Sequence, residues 1–247
     1  MLKRISCLLT ISGGEFFKTR NFQADHIYSL SHVPFNLFDE VVIICRDNSL
    51  SDDYLRFITG ISKDLRVPLT LSGRIQSKDD AKVLFDLGAD RIILNSALWD
   101  FPQVIPFLAE RYGKQAILGS FDLVKPPNTA LVAYNWSTSE PRSTLFPESF
   151  SEIKHYLGEI LLQDVDNDGR IIGPSIQKLS SFIDALDIDL PIHIGSAGLT
   201  SWDHYTSMFA LDTVDAVSIT NIHHMSIDAL QSLRSSCKVN GIPIRQL

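Results

Sequence analysis

The sequence has few cysteines, no long apolar run and no excess of basic residues. Its three cysteines, Cys7, Cys45 and Cys237, are too few for a disulfide framework, which favours a reducing, cytoplasmic setting. The apolar stretch near the N-terminus is too short to span a bilayer and has no small-residue cleavage site, so secretion and membrane insertion are not expected. The 22 basic and 29 acidic residues give a net charge of −7, which argues against a nucleic-acid or anionic-membrane partner.

Metal-binding patterns are also missing from the sequence. No Cys/His spacing is typical of a zinc site. The run Asp164–Gly169 resembles the opening of an EF-hand calcium loop, but the twelfth loop position is Ser175, where a bidentate Glu is required. We therefore predict neither a metal nor a cofactor.

Apolar and amphipathic segments alternate regularly along the chain. Eight short, nearly continuous apolar runs are typical of parallel strands whose outer faces are covered by helices. These runs are Lys3–Leu9, Glu40–Cys45, Pro68–Leu71, Arg91–Leu94, Gln115–Phe121, Glu159–Gln163, Pro191–Ile194 and Ala216–Ile219. Eight strand–helix units in a chain of this length predict an α/β fold, a (β/α)8 TIM barrel that forms one domain over residues 1–247.

Amphipathic stretches between the runs predict helices. The clearest are Ser77–Leu87, Phe101–Tyr112, Ser175–Ala185, Ser201–Ala210 and Ile227–Val239. Serine is a favoured N-cap, and the predicted caps are Ser51, Ser77, Ser175, Ser201 and Ser226. Two segments break the pattern: residues 21–39 predict an irregular loop, and residues 125–147 predict a small hairpin over the barrel mouth.

An internal repeat supports the barrel. The segment that begins at Pro68 resembles one that begins about half a chain length later, at Pro191, which favours two duplicated half-barrels. Each copy ends its strands in turns of small residues, and such turns bind phosphate through backbone amides at the mouth of a barrel. The turns are Ser72, Gly73, Asn95 and Ser96 in the first copy, and Gly195, Ser196, Thr220 and Asn221 in the second. They suit a phosphorylated small molecule, although tight-turn formation alone would explain the same residues.

Carboxylates follow two of the predicted strands. Asp122 ends the fifth strand, where apolar surroundings can raise its pKa and suit it to general acid or base catalysis. After the sixth strand, alternation directs Asp166 and Asp168 to one side, near the mouth, with Gly169 in the turn that follows. Asp166 is a candidate catalytic residue, and Asp168 and Gly169 are candidate ligand contacts; the alternative is simple turn formation.

Charged residues also stand at the opposite ends of four strands. Arg4, Glu40, Arg91 and Glu159 begin the first, second, fourth and sixth strands, so that they could form a ring at the bottom of the barrel. Spacing alone favours a stabilising salt-bridge layer, the usual meaning of charge at that end. His193 interrupts an apolar strand and is interpreted as a hydrogen-bonded core residue.

Several motifs together resemble one family. They are KRISCLL, GGEFFKTRNF, ADRIILNS, GKQAILGSFD, GEILLQDVDNDG and PIHIGSAG. As a set they resemble the cyclase subunit of imidazole glycerol phosphate synthase along nearly the whole chain. The resemblance implies a (β/α)8 barrel that binds a glutaminase subunit at its bottom, admits ammonia through a charged gate and uses it at the top. The family's gate positions fall on the four ring residues, Arg4, Glu40, Arg91 and Glu159, which reverses the structural interpretation of the ring.

The resemblance also shows departures at the catalytic end. The family's second catalytic aspartate matches Asp122, whereas the first, which follows Cys-Leu in strand one, falls on Leu9. Lys18 is a further candidate catalytic residue. The pair Lys18-Thr19 resembles the sequence of a divergent paralogue that is found with surface-glycan enzymes. That paralogue helps to deliver ammonia for acetamidino sugars.

Two functions are consistent with these features. The first is an ammonia-channelling accessory subunit that works with a glutaminase and an N-acetyl-sugar amidotransferase. The second is a working cyclase, a lyase of histidine biosynthesis.

Overall fold

Eight parallel strands close into a barrel. The computed structural model describes residues 2–31, 33–47, 49–136, 138–170 and 172–245. The strands in this part of the chain are β1 (Arg4–Ser12), β2 (Glu15–Arg20), β3 (Gln23–Ile27), β4 (Glu40–Cys45), β5 (Leu69–Ser72), β6 (Arg91–Leu94), β7 (Ile117–Val124), β8 (Val132–Asn135), β9 (Glu140–Pro141), β10 (Glu159–Asp164), β11 (Ile192–Ile194) and β12 (Val214–Ile219). The barrel order is β1-β4-β5-β6-β7-β10-β11-β12, closed by parallel pairing of β12 with β1. Each of the eight predicted runs forms one barrel strand, so the predicted (β/α)8 barrel is confirmed.

Helices cover the outside of the barrel. They are α1 (Asp52–Ser62), α2 (Lys78–Asp86), α3 (Ser96–Asp100), α4 (Val104–Tyr112), α5 (Phe150–Ile153), α6 (Ile176–Ala185), α7 (Trp202–Phe209) and α8 (Ile227–Val239). No helix in the described ranges is long and apolar enough to cross a membrane.

All five predicted serines occupy N-cap positions, and four of them cap their helices through the side chain. The side chains of Ser51, Ser77, Ser201 and Ser226 each accept a hydrogen bond from the backbone amide three residues later, and Ser77 forms a full capping box. Ser175 occupies the N-cap position of α6, as predicted, but its side chain forms no capping bond. Its ψ is 85°, whereas the other four caps have an extended ψ between 154° and 171°.

Two hairpins extend the mouth of the barrel. Residues 125–147 contain the predicted hairpin, in which β8 pairs antiparallel with both β7 and β9; Ser137, in its turn, lies outside the described residues. Residues 21–39 are predicted to be irregular; Gln23–Ile27 instead form β3, which pairs antiparallel with β2, whereas residues 28–31 and 33–39 are irregular apart from a 3-10 turn at Phe35–Leu37, and His32 lies outside the described residues. The prediction was wrong for β3 because this strand is mostly exposed, so that pairing with β2 defines it rather than an apolar pattern.

Strand alternation separates the lumen from the outer core. Along β1, Arg4, Ser6 and Leu8 point into the barrel, whereas the intervening residues join the layer packed against the helices. A small apolar layer crosses the lumen at mid-height and is formed by Leu8, Val42, Ile93, Leu118 and Leu161. This layer lies between the strand starts and the mouth, and therefore separates two polar ends of the same barrel.

Candidate functional site

The predicted turns line two cavities at the carboxyl ends of the strands. The first cavity, of about 380 Å³, is lined by residues that include Lys18, Asp168, Gly169, Ser196, Thr220 and Asn221. The second, of about 290 Å³, is lined by residues that include Ser72, Gly73, Asn95, Ser96 and Asp122. Trp136, Gln163 and Arg46 border both cavities. The two sets of turns thus face separate cavities on either side of these three residues.

Asp122 is a buried carboxylate held by three donors. Its Oδ1 accepts a hydrogen bond of 2.8 Å from Gln163 Nε2, and its Oδ2 accepts bonds from Asn95 Nδ2, at 3.0 Å, and from Trp136 Nε1. Burial raises the pKa of Asp122 to about 6, although the three hydrogen bonds oppose the shift. A carboxyl group of this pKa can exchange protons near neutral pH, but here its oxygens already have partners within the protein.

An aromatic stack places Trp136 over Asp122. The Trp136 ring stacks on Phe22 with centroids 4.7 Å apart, and the guanidinium of Arg46 lies 4.4 Å from the indole centroid. Phe22 has a left-handed backbone, with φ of 63°, and its amide donates a 2.9 Å hydrogen bond to Asp168 Oδ2. Asp168, in the loop after β10, therefore holds the turn between β2 and β3 in place. Through Phe22, this turn also holds the Trp136 ring that covers Asp122.

Asp168 and Gly169 support this turn. The Asp168 carboxylate is buried, and its second oxygen accepts a hydrogen bond from the hydroxyl of Ser196. Gly169 has φ of 65°, and a Cβ there would lie 2.2 Å from the carbonyl oxygen of Thr19. Only glycine lets the hairpin approach this closely. Both residues line the first cavity, as predicted for ligand contacts, but the contacts that the structure shows are with protein groups.

The structure places Asp166 outside both cavities. Its carboxylate lies 2.6 Å from Lys178 Nζ and accepts a hydrogen bond from the Lys125 amide. Lys178, nearly buried on α6, also contacts Asp164 at 2.5 Å. The acidic run that resembles a calcium loop thus binds a lysine and joins α6 to the barrel. Lys18, the other candidate catalytic residue, lines the first cavity.

The prediction that Leu9 replaces a catalytic aspartate was wrong in its position. Leu9 is fully buried in the outer core, between the strands and helices. Alternation from Arg4 through Ser6 and Leu8 brings Thr10 to the mouth, where it lines the first cavity. Thr10 therefore occupies the lumen-facing position at the end of β1. Neither residue supplies a carboxylate, so the predicted loss of an acid–base group at this strand end remains.

At the bottom, the four predicted charges form a closed ring. Arg4 contacts Glu40 at 3.3 Å and Glu159 at 2.5 Å, and Arg91 contacts both glutamates as well, with 2.5 Å to Glu159. Burial alone would raise the pKa of Glu159, but His193 and the two guanidinium groups outweigh it and lower the pKa to about 2. Glu159 is therefore held as an anion.

The sequence analysis did not identify the site residues that lie in loops and hairpins beyond the ends of the barrel strands. Trp136 lies in the hairpin after β7, and Arg46 follows β4; both sit in polar stretches without a motif. Gln163 could have been identified, because a polar residue near the end of an otherwise apolar strand is expected to face the barrel mouth. His193 was interpreted as a core residue and is fully buried, but it faces the charged ring.

An eight-stranded parallel barrel with a polar mouth at the strand ends defines the class of (β/α)8 barrel proteins that bind ligands there. Residues 7–228 match the family described as "Histidine biosynthesis protein", and the chain belongs to this family. It is similar to imidazole glycerol phosphate synthase subunit HisF of Saccharolobus solfataricus, at 27% identity over 98% of both chains. It is also similar to the putative imidazole glycerol phosphate synthase subunit hisF2 of Parasynechococcus marenigrum, at 29% identity over 96% of this chain and 90% of the relative. The HisF of Campylobacter lari is 26% identical over 99% of both chains. The chain is thus a HisF-like protein along its length.

Proposed function

We propose that this chain is an ammonia-channelling accessory subunit of the cytoplasm. A glutaminase subunit docks at the barrel bottom, and the ammonia it releases serves an amidotransferase that forms an acetamidino group on a nucleotide-linked N-acetyl sugar for surface glycans. The observation that carries the proposal is a contrast between the ends of the barrel. The charged ring is complete, whereas at the mouth the lumen-facing end of β1 carries Thr10 and the carboxylate of Asp122 is bonded to Trp136.

The residues at the barrel mouth support the proposal that this chain does not catalyse cyclisation. Acid–base cyclisation needs groups for both proton transfers, and Thr10 cannot replace a carboxylate in that role. Asp122 keeps a suitable pKa but is covered by Trp136, and a substrate would first have to displace the indole.

The division of the mouth also supports the proposal. A long bisphosphorylated substrate would have to pass between the two cavities, where Trp136, Gln163 and Arg46 stand. Each cavity by itself suits a smaller phosphorylated molecule. The proposed phosphate contacts are Ser72, Gly73, Asn95 and Ser96 on one side, and Ser196, Thr220 and Asn221 on the other. Gly195, predicted to belong to the second set, is not among the residues that line the first cavity, and its amide donates a 2.8 Å hydrogen bond to the carbonyl oxygen of Leu162.

The ring supports the ammonia route. Each arginine contacts both glutamates, so four side chains from β1, β4, β6 and β10 close the lumen at the strand starts. A layer that only stabilised the barrel would show the same bonds. The role as a gate comes from the family resemblance, which assigns these four positions to ammonia passage.

A second candidate is the lyase reaction of histidine biosynthesis. Two observations favour it: the pKa of Asp122 near 6, and the presence of both sets of turns at the mouth. It requires Trp136 to leave Asp122 when substrate binds.

Reconstitution decides between the candidates. The full chain is mixed with its co-encoded glutaminase and glutamine labelled with ¹⁵N at the amide. One reaction also contains an N-acetyl-sugar amidotransferase, its nucleotide sugar and ATP, which activates the acetamido oxygen so that it can leave as phosphate; the other contains the cyclase substrate. We expect label in the sugar only. Glu159→Gln should lower the labelled fraction while the complex still forms, and Glu148→Gln, an exposed glutamate, serves as the matched control. Failure to bind the glutaminase, or label only in the histidine precursor, would contradict the proposal.

A further inference from the structure

His193 lies on the lumen side of the charged ring. It is fully buried on β11, and its Nδ1 lies 3.3 Å from Glu40 Oε1 and 3.4 Å from Glu159 Oε1. Its Nε2 lies 2.8 Å from the hydroxyl oxygens of Ser6 and Ser218. The imidazole therefore connects the ring, below it, with two serines that stand further along the lumen.

The surroundings of the imidazole define its tautomer. A bare Nδ1 would direct its lone pair at two carboxylate oxygens, which is unfavourable in a buried site. Nδ1 therefore carries the hydrogen, and Nε2 accepts from a serine hydroxyl. Burial lowers the pKa of His193 and so favours this neutral form.

Two polar atoms at this point form no hydrogen bond of good geometry with the residues that the structure describes, although one of them, His193 Nδ1, lies in loose contact with Glu159 Oε1 at 3.4 Å. They are Glu40 Oε1 and His193 Nδ1, and both are buried. They lie 3.3 Å apart, but their directions do not form a hydrogen bond. Buried polar atoms are rarely left in this state, because an unmade hydrogen bond costs about 1–3 kcal/mol. One of the pair is an acceptor and the other is a donor.

This pair matches the bonding capacity of one ammonia molecule. Ammonia can donate an N–H to Glu40 Oε1 and accept the Nδ1–H of His193 through its lone pair. Beyond the pair lies the apolar layer of the lumen, which a neutral molecule crosses at much lower cost than a cation. Arg4 and Arg91 on the other side of the glutamates also disfavour a cation.

We propose that Glu40 Oε1 and His193 Nδ1 form a binding site for neutral ammonia on the lumen side of the ring, and that His193 is a fifth functional member of the gate. The proposal rests on the proposed function as an ammonia-channelling subunit. It assigns His193 as a ligand-binding residue rather than as a core residue that only stabilises the fold.

The test is a titration of the free full-length chain with ammonium chloride, followed by NMR. The reporters are the ring nitrogens of His193 and the backbone amides of residues 6, 193 and 218. At an alkaline pH near the pKa of ammonium we expect saturable shifts at these positions. At mildly acidic pH the same salt supplies only the cation, and sodium chloride supplies only ionic strength, so neither should produce the shifts. Two results would overturn the proposal. The first is the absence of shifts at alkaline pH, which would mean that ammonia does not displace water from the site; the second is equal shifts in all three conditions.

Variants then assign the shifts to the site. His193→Leu should abolish them at residues 6 and 218, and His155→Leu, which replaces an exposed histidine, should leave them unchanged. His193→Asn retains an N–H donor near the position of Nδ1 and should restore a weaker response. Persistence of the full response in His193→Leu would overturn the assignment. The wild-type titration needs no variant, so it remains decisive if His193→Leu fails to fold.

The outcome is independent of the partner. The titration uses the chain without a glutaminase, so it can fail while the complex still forms and transfers ammonia. Conversely, a chain that binds ammonia at His193 but never associates with a glutaminase would contradict only the proposed function.

Discussion

The indole nitrogen of Trp136 donates a hydrogen bond to the buried carboxylate of Asp122. The indole also stacks on Phe22, so a residue from the hairpin after β7 and a residue from the turn after β2 together cover the carboxyl group. The bond joins the buried carboxylate that we predict to be catalytic to the side chain that covers it. Asp122 therefore has a pKa that suits proton transfer, but its carboxyl group is not accessible to a substrate while the indole is in place.

Trp136→Phe should raise the pKa of Asp122 above its present value of about 6. The variant removes a donor that favours the charged form, while an aromatic ring still covers the carboxyl group. NMR titration of the Asp122 carboxyl carbon measures the change. Trp99→Phe, at a tryptophan that packs against Arg142, is the control and should leave the value unchanged. A pKa equal to or below that of the wild type would show that the indole bond does not stabilise the carboxylate.

Thr10→Asp should not restore cyclase activity while Trp136 is in place. The new carboxyl group would stand at the lumen-facing end of β1, but Asp122 would still be covered. Loss of one acid–base group typically costs about 10²–10⁴ in rate, so we expect neither the wild type nor Thr10→Asp to support growth of a strain that lacks the histidine-pathway cyclase. Near-normal growth of the wild type without histidine would refute this, and growth with Thr10→Asp alone would show that Trp136 does not limit access. Leu9→Asp is the matched negative control, since that side chain points into the outer core.

Stability should fall in acid because of Glu159. Its pKa is about 2 in the folded protein and 4.5 ordinarily, so its contribution is fully present above pH 4.5 and is lost as the pH falls through this window towards 2. A shift of this size corresponds to about 3 kcal/mol in the free energy of unfolding. Urea denaturation at several pH values should therefore show a shallower acid decline for Glu159→Gln than for the wild type. Glu148→Gln, at an exposed position, should retain the full decline; identical slopes for all three proteins would contradict the coupling.

Asp168→Asn should release the turn that supports Trp136. The carboxylate accepts hydrogen bonds from both the Phe22 amide and the Ser196 hydroxyl, and an asparagine side chain has only one acceptor atom. We expect a loss of about 1–3 kcal/mol in stability and faster hydrogen exchange at the Phe22 amide. Asp166→Asn, in the separate cluster with Lys178, should leave that exchange rate unchanged. Equal protection in Asp168→Asn would show that the aromatic stack alone holds the turn.

The barrel and the ring of charges could both be predicted from local patterns of residues. Apolar runs such as β4 and β6 are local patterns, and serine caps such as Ser77 act within one turn of helix, so both could be predicted without knowing the fold. Arg4 and Glu159 could be placed together because parallel strands begin at the same end of a barrel. Asp122 was found for the same reason, at the other end.

Which side chains are in contact, by contrast, depends on how the strands and loops are arranged in space. Leu9 and Thr10 are adjacent in β1, so the alternation of the strand decides which of them faces the lumen. Every second residue from Arg4 faces the lumen, which indicates Thr10. This inference requires that Arg4 itself lies in the ring. Trp136 reaches Asp122 through a hairpin whose path no local pattern specifies. His193 likewise acquires its carboxylate neighbours only when the barrel closes, because contacts between distant strands follow from topology rather than from local propensity.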